Sequence, residues 1–293
     1  MRVLLTGGSG LLAINWAQEI LSFHTVALVE HLTPIDLSGI EKYKISEISE
    51  IDFLKILQEF KPDIVINTIA LTSVEECELN PITAYYVNVE IAKVLARTCQ
   101  KNGIKIVHIS TDHLYDGSKS MLSEDDLISP INNYAITKAK AEEVVLQECN
   151  NGLVIRTNFY GPGLSYRDSF ASKIVKSLAS NVSIDLFHNV FYTPILMKLL
   201  VSCVHKLIAG KAKGVFNVSS NERISKYEFG ILLAHEFNFD QALLIPIGIR
   251  DRKDLVRRPT DMSLSNKKIC KFLKMSMPSM ADQIKIFKEQ INQ

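Results

Sequence analysis

The sequence predicts an α/β protein built on a doubly wound parallel sheet, and three observations predict it. An apolar segment at residues 1–5 runs into a glycine-rich turn and then into a helix-compatible stretch. Short runs rich in Ile and Val recur through the first half of the chain, separated by helical segments. Those runs are nearly continuous in apolar character, as strands buried on both faces of a sheet must be.

The elements follow in order. Met1 to Leu5 is the first strand. Thr6-Gly7-Gly8-Ser9-Gly10-Leu11-Leu12-Ala13 is the turn, and Ile14 to Ser22 is helical. Strand, glycine-rich turn and helix in this order form the context in which such a turn binds a dinucleotide. Gly7 permits the tight turn, and Gly10 lets the backbone approach a pyrophosphate at the helix N-terminus. Ser9, Leu11 and Leu12 complete the candidate cofactor turn, and Ala13 supplies the small residue that helix–sheet packing requires. A tight turn without a ligand is the other reading. Thr25 to Val29 is the second strand and ends in Glu30, whose carboxylate suits ribose hydroxyls and repels a 2′-phosphate. NAD(H) is therefore favoured, with NADP(H) as the second candidate; a solvated acid is the alternative reading of Glu30.

Ile51 to Phe60 is helical, Asp63 to Asn67 is a strand, Pro81 to Asn102 is a helix, and Lys105 to Ile109 is a further strand. Ligands of such sheets bind beyond the carboxyl ends of the strands. Three stretches fall there: Gly7 to Gly10, Asn67 to Thr72, and Ser110-Thr111-Asp112. Asn67 and Ala70 join the candidate cofactor contacts. Ser110 or Thr111 is placed to hydrogen-bond a substrate carbonyl, although a hydroxyl at a strand end also serves ordinary turns. The loop Tyr115 to Pro130 is long enough to fold over a pocket.

Tyr134-Ala135-Ile136-Thr137-Lys138 carries the chemistry. A tyrosine and a lysine four apart on a helix share one face, and an ammonium there favours the phenolate. The pair is a candidate acid/base couple for interconverting an alcohol and a ketone. Tyr115 and Lys119 have the same spacing, but Asp116-Gly117 between them signals a turn. Tyr134 to Gln147, by contrast, has no Gly or Pro and reads as helix, with Asn132 and Asn133 as candidate caps.

Composition excludes several classes. The chain has 293 residues, 47% hydrophobic and 22% charged, with a net charge of +1. That balance gives no electrostatic case for nucleic acid or an anionic membrane. The five cysteines are scattered without a C-x-x-C pair, and the seven histidines show no ligand spacing, so no metal site is expected. No apolar run reaches the roughly 18 residues of a membrane span, and the N-terminus lacks a signal-peptide pattern. The expected location is the cytoplasm.

Four stretches occur in the order seen in extended short-chain dehydrogenase/reductases: Thr6-Gly7-Gly8-Ser9-Gly10, Asn67-Thr68-Ile69-Ala70, Ser110-Thr111-Asp112, and Tyr134 with Lys138. Within them the chain resembles the dTDP-4-dehydrorhamnose reductase group. Ser110 to Gly117, Val154-Ile155-Arg156-Thr157 leading to Tyr160-Gly161, and Arg258-Pro259 with Leu264 are similar to that group. The resemblance implies a Rossmann-like fold and hydride transfer from a nicotinamide to C4 of a deoxysugar nucleotide. It implies Tyr134 as proton donor, Lys138 as the group that tunes Tyr134 and binds nicotinamide ribose hydroxyls, and Thr111 as hydrogen-bond donor to the carbonyl, with Ser110 as neighbour or substitute. Asp112, His113, Thr72, Arg257 and Arg258 are the candidate substrate contacts, the arginines offering a fork suited to a diphosphate. A solvated basic pair is the alternative for the arginines.

Residues 1–160 are expected to bind NAD(P), with 186–220 returning to that domain. Residues 161–185 and 221–293 are expected to form a smaller, mainly helical substrate lobe, lid-like in the family. Leu164 to Asp185 is read as a substrate-side helix; Met275, Met277 and Met280 line a pocket or fill a core. A homodimer is the expected assembly. The chain departs from the family at Ser46-Glu47-Ile48-Ser49, where an adenine-contacting Asp is usual, at Asn67 to Ala70, at His113 and at Ala13. Two alternatives stand beside the reductase: an epimerase or dehydratase holding NAD+, with Asp112 as the extra acid, and a regulatory subunit that has kept the fold, as in methionine adenosyltransferase.

Overall fold

The computed structural model describes every residue except Leu32, Asp36, Glu47, Ile48 and Gln293. The chain forms two compact units. The first comprises residues 1–111, 132–156 and 207–216; the second comprises 112–131, 157–206 and 217–293. The expected boundary at residue 160 is therefore redrawn. The chain leaves the first unit directly after Thr111, re-enters it at Asn132, and returns a last time only over 207–216 rather than over 186–220.

The first unit is built on a seven-stranded sheet. Its strands are β1 (Arg2–Thr6), β2 (Thr25–Glu30), β3 (Glu41–Lys44), β4 (Ile64–Asn67), β5 (Lys105–Ile109) and β6 (Leu153–Arg156), with Gly214–Asn217 beside β6. The spatial order β3-β2-β1-β4-β5-β6, with parallel pairing throughout these six, is the dinucleotide-binding order. The order reverses between β1 and β4, and that switch point is where the glycine turn and Asn67 lie. Val3, Leu4, Leu5, Ile64, Val65 and Ile66 are all essentially without solvent exposure, which explains their apolar, largely β-branched character. The edge strand β3, sequence EKYK, is mostly exposed and polar. It lacks the apolar signature by which the others were read, and its lysines blunt a free edge.

Helices α1 (Leu11–Ile20), α2 (Glu50–Phe60), α3 (Val74–Leu79), α4 (Pro81–Tyr85), α5 (Ile91–Lys101) and α6 (Asn133–Glu148) flank this sheet. Ser49 caps α2 by accepting from Asp52 N–H, and Ser73 caps α3 by accepting from Glu76 N–H. The expected single helix from Pro81 to Asn102 is interrupted: Tyr86–Glu90 is a π-helical turn joining α4 to α5. Phe53, Leu57 and Phe60 of α2 and Leu95, Ala96 and Cys99 of α5 pack with Val65, Ile106 and Val154 in one core.

The second unit has its own core around Tyr160, Phe229, Leu233 and Phe287. Tyr160 meets Phe229 edge-on at 4.9 Å between ring centroids. The expected helix over 164–185 is shorter, Phe170–Ala179, and is followed by a strand, Ile184–Phe187, paired with Leu244–Ile247. Helices Lys226–Phe237 and Met280–Ile291 dominate the remainder. Met280 is fully buried beside Tyr160, whose hydroxyl donates to its sulfur at 3.6 Å, and Met277 is buried as well. Both methionines fill the core. No helix among the described residues is long and apolar enough to cross a membrane.

Candidate active site

The glycine turn has the predicted shape. Gly7 adopts φ +76°, a conformation that favours glycine, and a Cβ there would lie 2.9 Å from Thr68 Oγ1. Gly8 N–H donates to Val29 O and Gly10 N–H to Gly7 O, both at 2.8 Å. A Cβ on Gly8 would strike Val29 O at 2.9 Å, so Gly8 is held by packing that the sequence reading did not assign to it. Gly10 is the N-cap of α1 and offers no side-chain cap, and the first turn of α1 carries no acidic residue. The start of α1 therefore presents backbone N–H groups and the positive end of the helix dipole, as a pyrophosphate requires. Leu12 is buried, while Ser9 and Leu11 are half-buried around the turn.

Glu30 ends β2 as predicted. Its Oε2 accepts the Ile35 N–H at 3.0 Å, so the carboxylate also fixes the loop that follows. Of the stretch Ser46 to Ser49, where adenine contacts were considered, Glu47 and Ile48 lie outside the described residues.

At the end of β4 the candidate cofactor residue Asn67 has a structural role of its own. Asn67 is 1% exposed, and its side chain is engaged throughout. Thr6 Oγ1 donates to Asn67 Oδ1 at 2.9 Å, Ile69 N–H donates to the same oxygen at 3.0 Å, and Asn67 Nδ2 meets His108 Nδ1 at 3.0 Å. Asn67 thus fastens the ends of β1, β4 and β5 through its side chain. Ala70 remains half-buried on the loop beyond, and Thr72 is exposed there.

Tyr134 and Lys138 sit one turn apart on α6, both buried, at 8% and 2% exposure. Asn132 is the N-cap, accepting from Ala135 N–H at 2.9 Å, which places Tyr134 in the first helical turn. Lys138 Nζ donates to Ile109 O at 2.7 Å and lies 3.2 Å from His108 Nε2. Burial pushes Lys138 down to about 8, with Glu142 partly opposing the shift. Tyr115 and Lys119, with the same spacing, flank a turn at Gly117, φ +84°, and form no helix.

Ser110 and Thr111 prove to have different surroundings. Ser110 Oγ donates to Glu142 Oε1 at 2.5 Å. Glu142 is in turn paired with Arg156, whose Nη2 reaches Oε2 at 2.8 Å, both side chains being about 5% exposed. Ser110 is therefore committed to a buried ion pair, which leaves Thr111 as the candidate for the carbonyl contact. Thr111 is 4% exposed at the carboxyl end of β5.

Asn88 was missed. It lies within the π-helical turn, is 1% exposed, accepts the Leu71 N–H at 2.7 Å and donates to Thr137 Oγ1 at 3.0 Å. It ties the loop after β4 to α6 one residue before Lys138. A buried Asn inside a long helical run was the available signal, since such turns concentrate at functional sites. His108 was also missed; a histidine within an otherwise apolar strand was its signal.

In the second unit, Asp112 is 1% exposed, accepts from Asn158 Nδ2 at 2.8 Å and lies 3.9 Å from His113 Nε2. Burial, with Lys226 and Arg258 nearby, pushes His113 down to about 3, so it is neutral. Lys226 stands 3.2 Å over the Tyr192 ring and is pushed down to about 7 by burial, with Asp112 opposing the shift. Arg257 and Arg258 line a cavity of about 350 Å³ together with Arg250, Arg252, Asp116 and Thr260. The two predicted arginines thus belong to a group of four. Arg252 forms a two-pronged pair with Asp254. Among the described residues no group of His, Cys, Asp or Glu is arranged to hold a metal ion.

The RmlD substrate-binding domain model matches residues 1–292. The chain belongs to this family. Within it, the chain is 27% identical over 290 residues to the dTDP-4-dehydrorhamnose reductase of Aggregatibacter actinomycetemcomitans, covering 92% of both chains. The crystal structure of a hypothetical dTDP-4-dehydrorhamnose reductase from Sulfolobus tokodaii superposes with a TM-score of 0.83 at 28% identity, over 97% of this chain and 99% of that one. Methionine adenosyltransferase 2 subunit beta of Mus musculus is 27% identical over 263 residues, 84% of this chain and 75% of that one. The resemblance read from the motifs, to an extended short-chain dehydrogenase/reductase of the dTDP-4-dehydrorhamnose reductase group, is the one that RmlD family membership supports.

Proposed function

We propose that the protein is an NAD(P)H-dependent reductase of a 4-keto sugar nucleotide. The observation that carries this reading is the buried Tyr134–Lys138 pair on the first turns of α6, within the unit whose switch point holds an uncapped helix N-terminus. A bound nicotinamide cofactor would supply the hydride. The residues do the rest. Gly7 and Gly10 shape the turn on which the pyrophosphate rests, and Glu30 accepts from ribose hydroxyls. Thr111 donates to the substrate carbonyl, and Tyr134 passes its phenolic proton to the oxygen as charge develops there. Lys138 supplies positive charge beside the phenolate and hydrogen bonds to the cofactor ribose. The four arginines that line the cavity in the second unit take the diphosphate of the sugar nucleotide. On this reading the first unit binds the cofactor and the second binds the substrate.

The test is a panel of keto sugar nucleotides assayed with NADH and with NADPH. Oxidation of reduced cofactor in proportion to substrate is expected. Turnover without net loss of reduced cofactor would overturn the reductase in favour of an epimerase or dehydratase. The similarity to methionine adenosyltransferase 2 subunit beta favours a second reading, a regulatory subunit. Inactivity on the whole panel, together with a partner that co-purifies in fixed ratio, would support it.

Cofactor choice gives a separate expectation. Glu30→Gln keeps an acceptor for the Ile35 N–H and removes the charge. Discrimination against NADPH should fall about tenfold, or about 1.4 kcal/mol. Equal NADH/NADPH ratios of kcat/KM in variant and parent would remove Glu30 from the ribose site.

A further inference from the structure

Lys226 opens the helix Lys226–Phe237 of the second unit, directly after its N-cap Ser225. That is the positive end of the helix dipole, an unfavourable place for a cation. The residue is half-buried, with its Nζ 3.2 Å from the centroid of the Tyr192 ring and 5.0 Å from that of Phe170. Burial weakens its hold on the proton, and Asp112 opposes that effect. Other lysines drawn out of solvent give their N–H groups to the fold. Lys138 Nζ donates to Ile109 O, and Lys105 Nζ to Asn151 O and Ala212 O. Lys226 Nζ has ring faces beside it but no hydrogen-bond acceptor among the described residues. The rings attract its charge and leave its three N–H donors unused.

Its neighbours belong to the same unit. Asp112 acts electrostatically on both Lys226 and Tyr192, and Lys226 and Arg258 both act on the buried His113. These five side chains therefore form one neighbourhood. Tyr192 is 1% exposed, and its hydroxyl too has no hydrogen-bond partner among the described residues. Phe170 keeps 37% of its surface exposed and offers an apolar wall. A donor-rich cation, a buried hydroxyl and an exposed ring suit a molecule with both acceptor oxygens and C–H surface. A saccharide has both.

Arg258 fixes where such a molecule begins. It lines the arginine cavity that takes the diphosphate on the reading above, and the hexose of a sugar nucleotide is bonded directly to the diphosphate. The hexose must therefore lie next to the arginines, and Lys226 shares His113 with Arg258. Asp112 already balances the ammonium, so a carboxylate on the sugar would bring a second acid to one cation. We propose that Lys226 is a specificity-determining residue that holds the hexose. Its ammonium donates to a neutral hydroxyl oxygen, the Phe170 ring covers the C–H face, and the site favours a neutral hexose over a uronate. The inference rests on the reading of the second unit as the binder of a sugar nucleotide, whichever reaction follows.

The test is calorimetric titration in the presence of reduced cofactor. UDP and dTDP, their glucose conjugates and their glucuronate conjugates are titrated into the parent and into Lys226→Met, which keeps an unbranched side chain against both rings. For the nucleotide it prefers, the parent should bind the glucose conjugate more tightly than the bare diphosphate and the glucuronate conjugate more weakly than the glucose conjugate. Lys226→Met should lose about tenfold in affinity for the glucose conjugate, the scale of one charged hydrogen bond, and nothing for the bare diphosphate. An equal loss for the bare diphosphate would place Lys226 at the phosphates and overturn the proposal. An unchanged preference for the glucose conjugate would leave Lys226 a structural role and overturn it as well. Tighter binding of the glucuronate conjugate by the parent would overturn the selection of a neutral hexose. Should Lys226→Met fail to fold, Lys226→Gln keeps a donor on a shorter stem and should lose part of the same preference; an unchanged preference there would overturn the proposal equally. A parent that binds no sugar nucleotide would overturn the substrate reading itself, an outcome distinct from the failure of Lys226 alone.

Discussion

Tyr134→Phe should reduce turnover by about 10²–10⁴-fold, the usual range for a lost general acid, while cofactor affinity stays within a few-fold of the parent. Phe fills the same buried space in the first turn of α6, so the fold should be kept. Lys138 retains its bonds to Ile109 and His108, and the glycine turn is untouched. The measurement is steady-state reduction of the substrate found by the panel, paired with titration of reduced cofactor by fluorescence. A variant that turns over at nearly the parental rate would exclude Tyr134 as the acid. Loss of cofactor binding in step with activity would assign the residue to binding instead.

The largest expected loss of stability lies at Arg156. Arg156→Leu leaves the Glu142 carboxylate buried with Ser110 as its remaining hydrogen-bond donor among the contacts described. Removing one partner of a buried pair costs about 3–5 kcal/mol, which lowers Tm by roughly 10 °C in a chain of this size. The double variant Glu142→Met with Arg156→Leu should recover much of that, because the uncompensated charge is gone. Calorimetry on the parent, the single and the double variant checks both statements. A single variant as stable as the parent would mean that the pair contributes nothing to the fold.

These two sites also mark how far the sequence could be read. The sheet was legible because burial on both faces demands unbroken apolar strands, and β1, β4 and β5 carry little else. Tyr134 and Lys138 were legible because the segment that holds them has neither Gly nor Pro. The edge strand Glu41–Lys44 was not legible, since an exposed edge imposes no apolar pattern. Ser110 and Thr111 could not be told apart in sequence. What separates them is Glu142, thirty-two residues further on, which claims one hydroxyl and not the other. Asn67 resembles a loop residue at a ligand site, but strand pairing surrounds it with Thr6, Ile69 and His108. The exit of the chain from the first unit after Thr111 had no compositional marker, because Asp112 to Leu114 are as buried in the second unit as β5 is in the first.

The π-helical turn at Tyr86–Glu90 changes the helical phase of everything beyond it. An extra residue in one turn rotates the following helix by about 100° relative to an unbroken one. Beyond it, Leu95, Ala96 and Cys99 pack into the core of the first unit, while Ile82 and Tyr85, before it, face solvent. The same widening presents Asn88 to Leu71 and Thr137. The anchoring of α6 near Lys138 therefore runs through a residue of this π-helical turn.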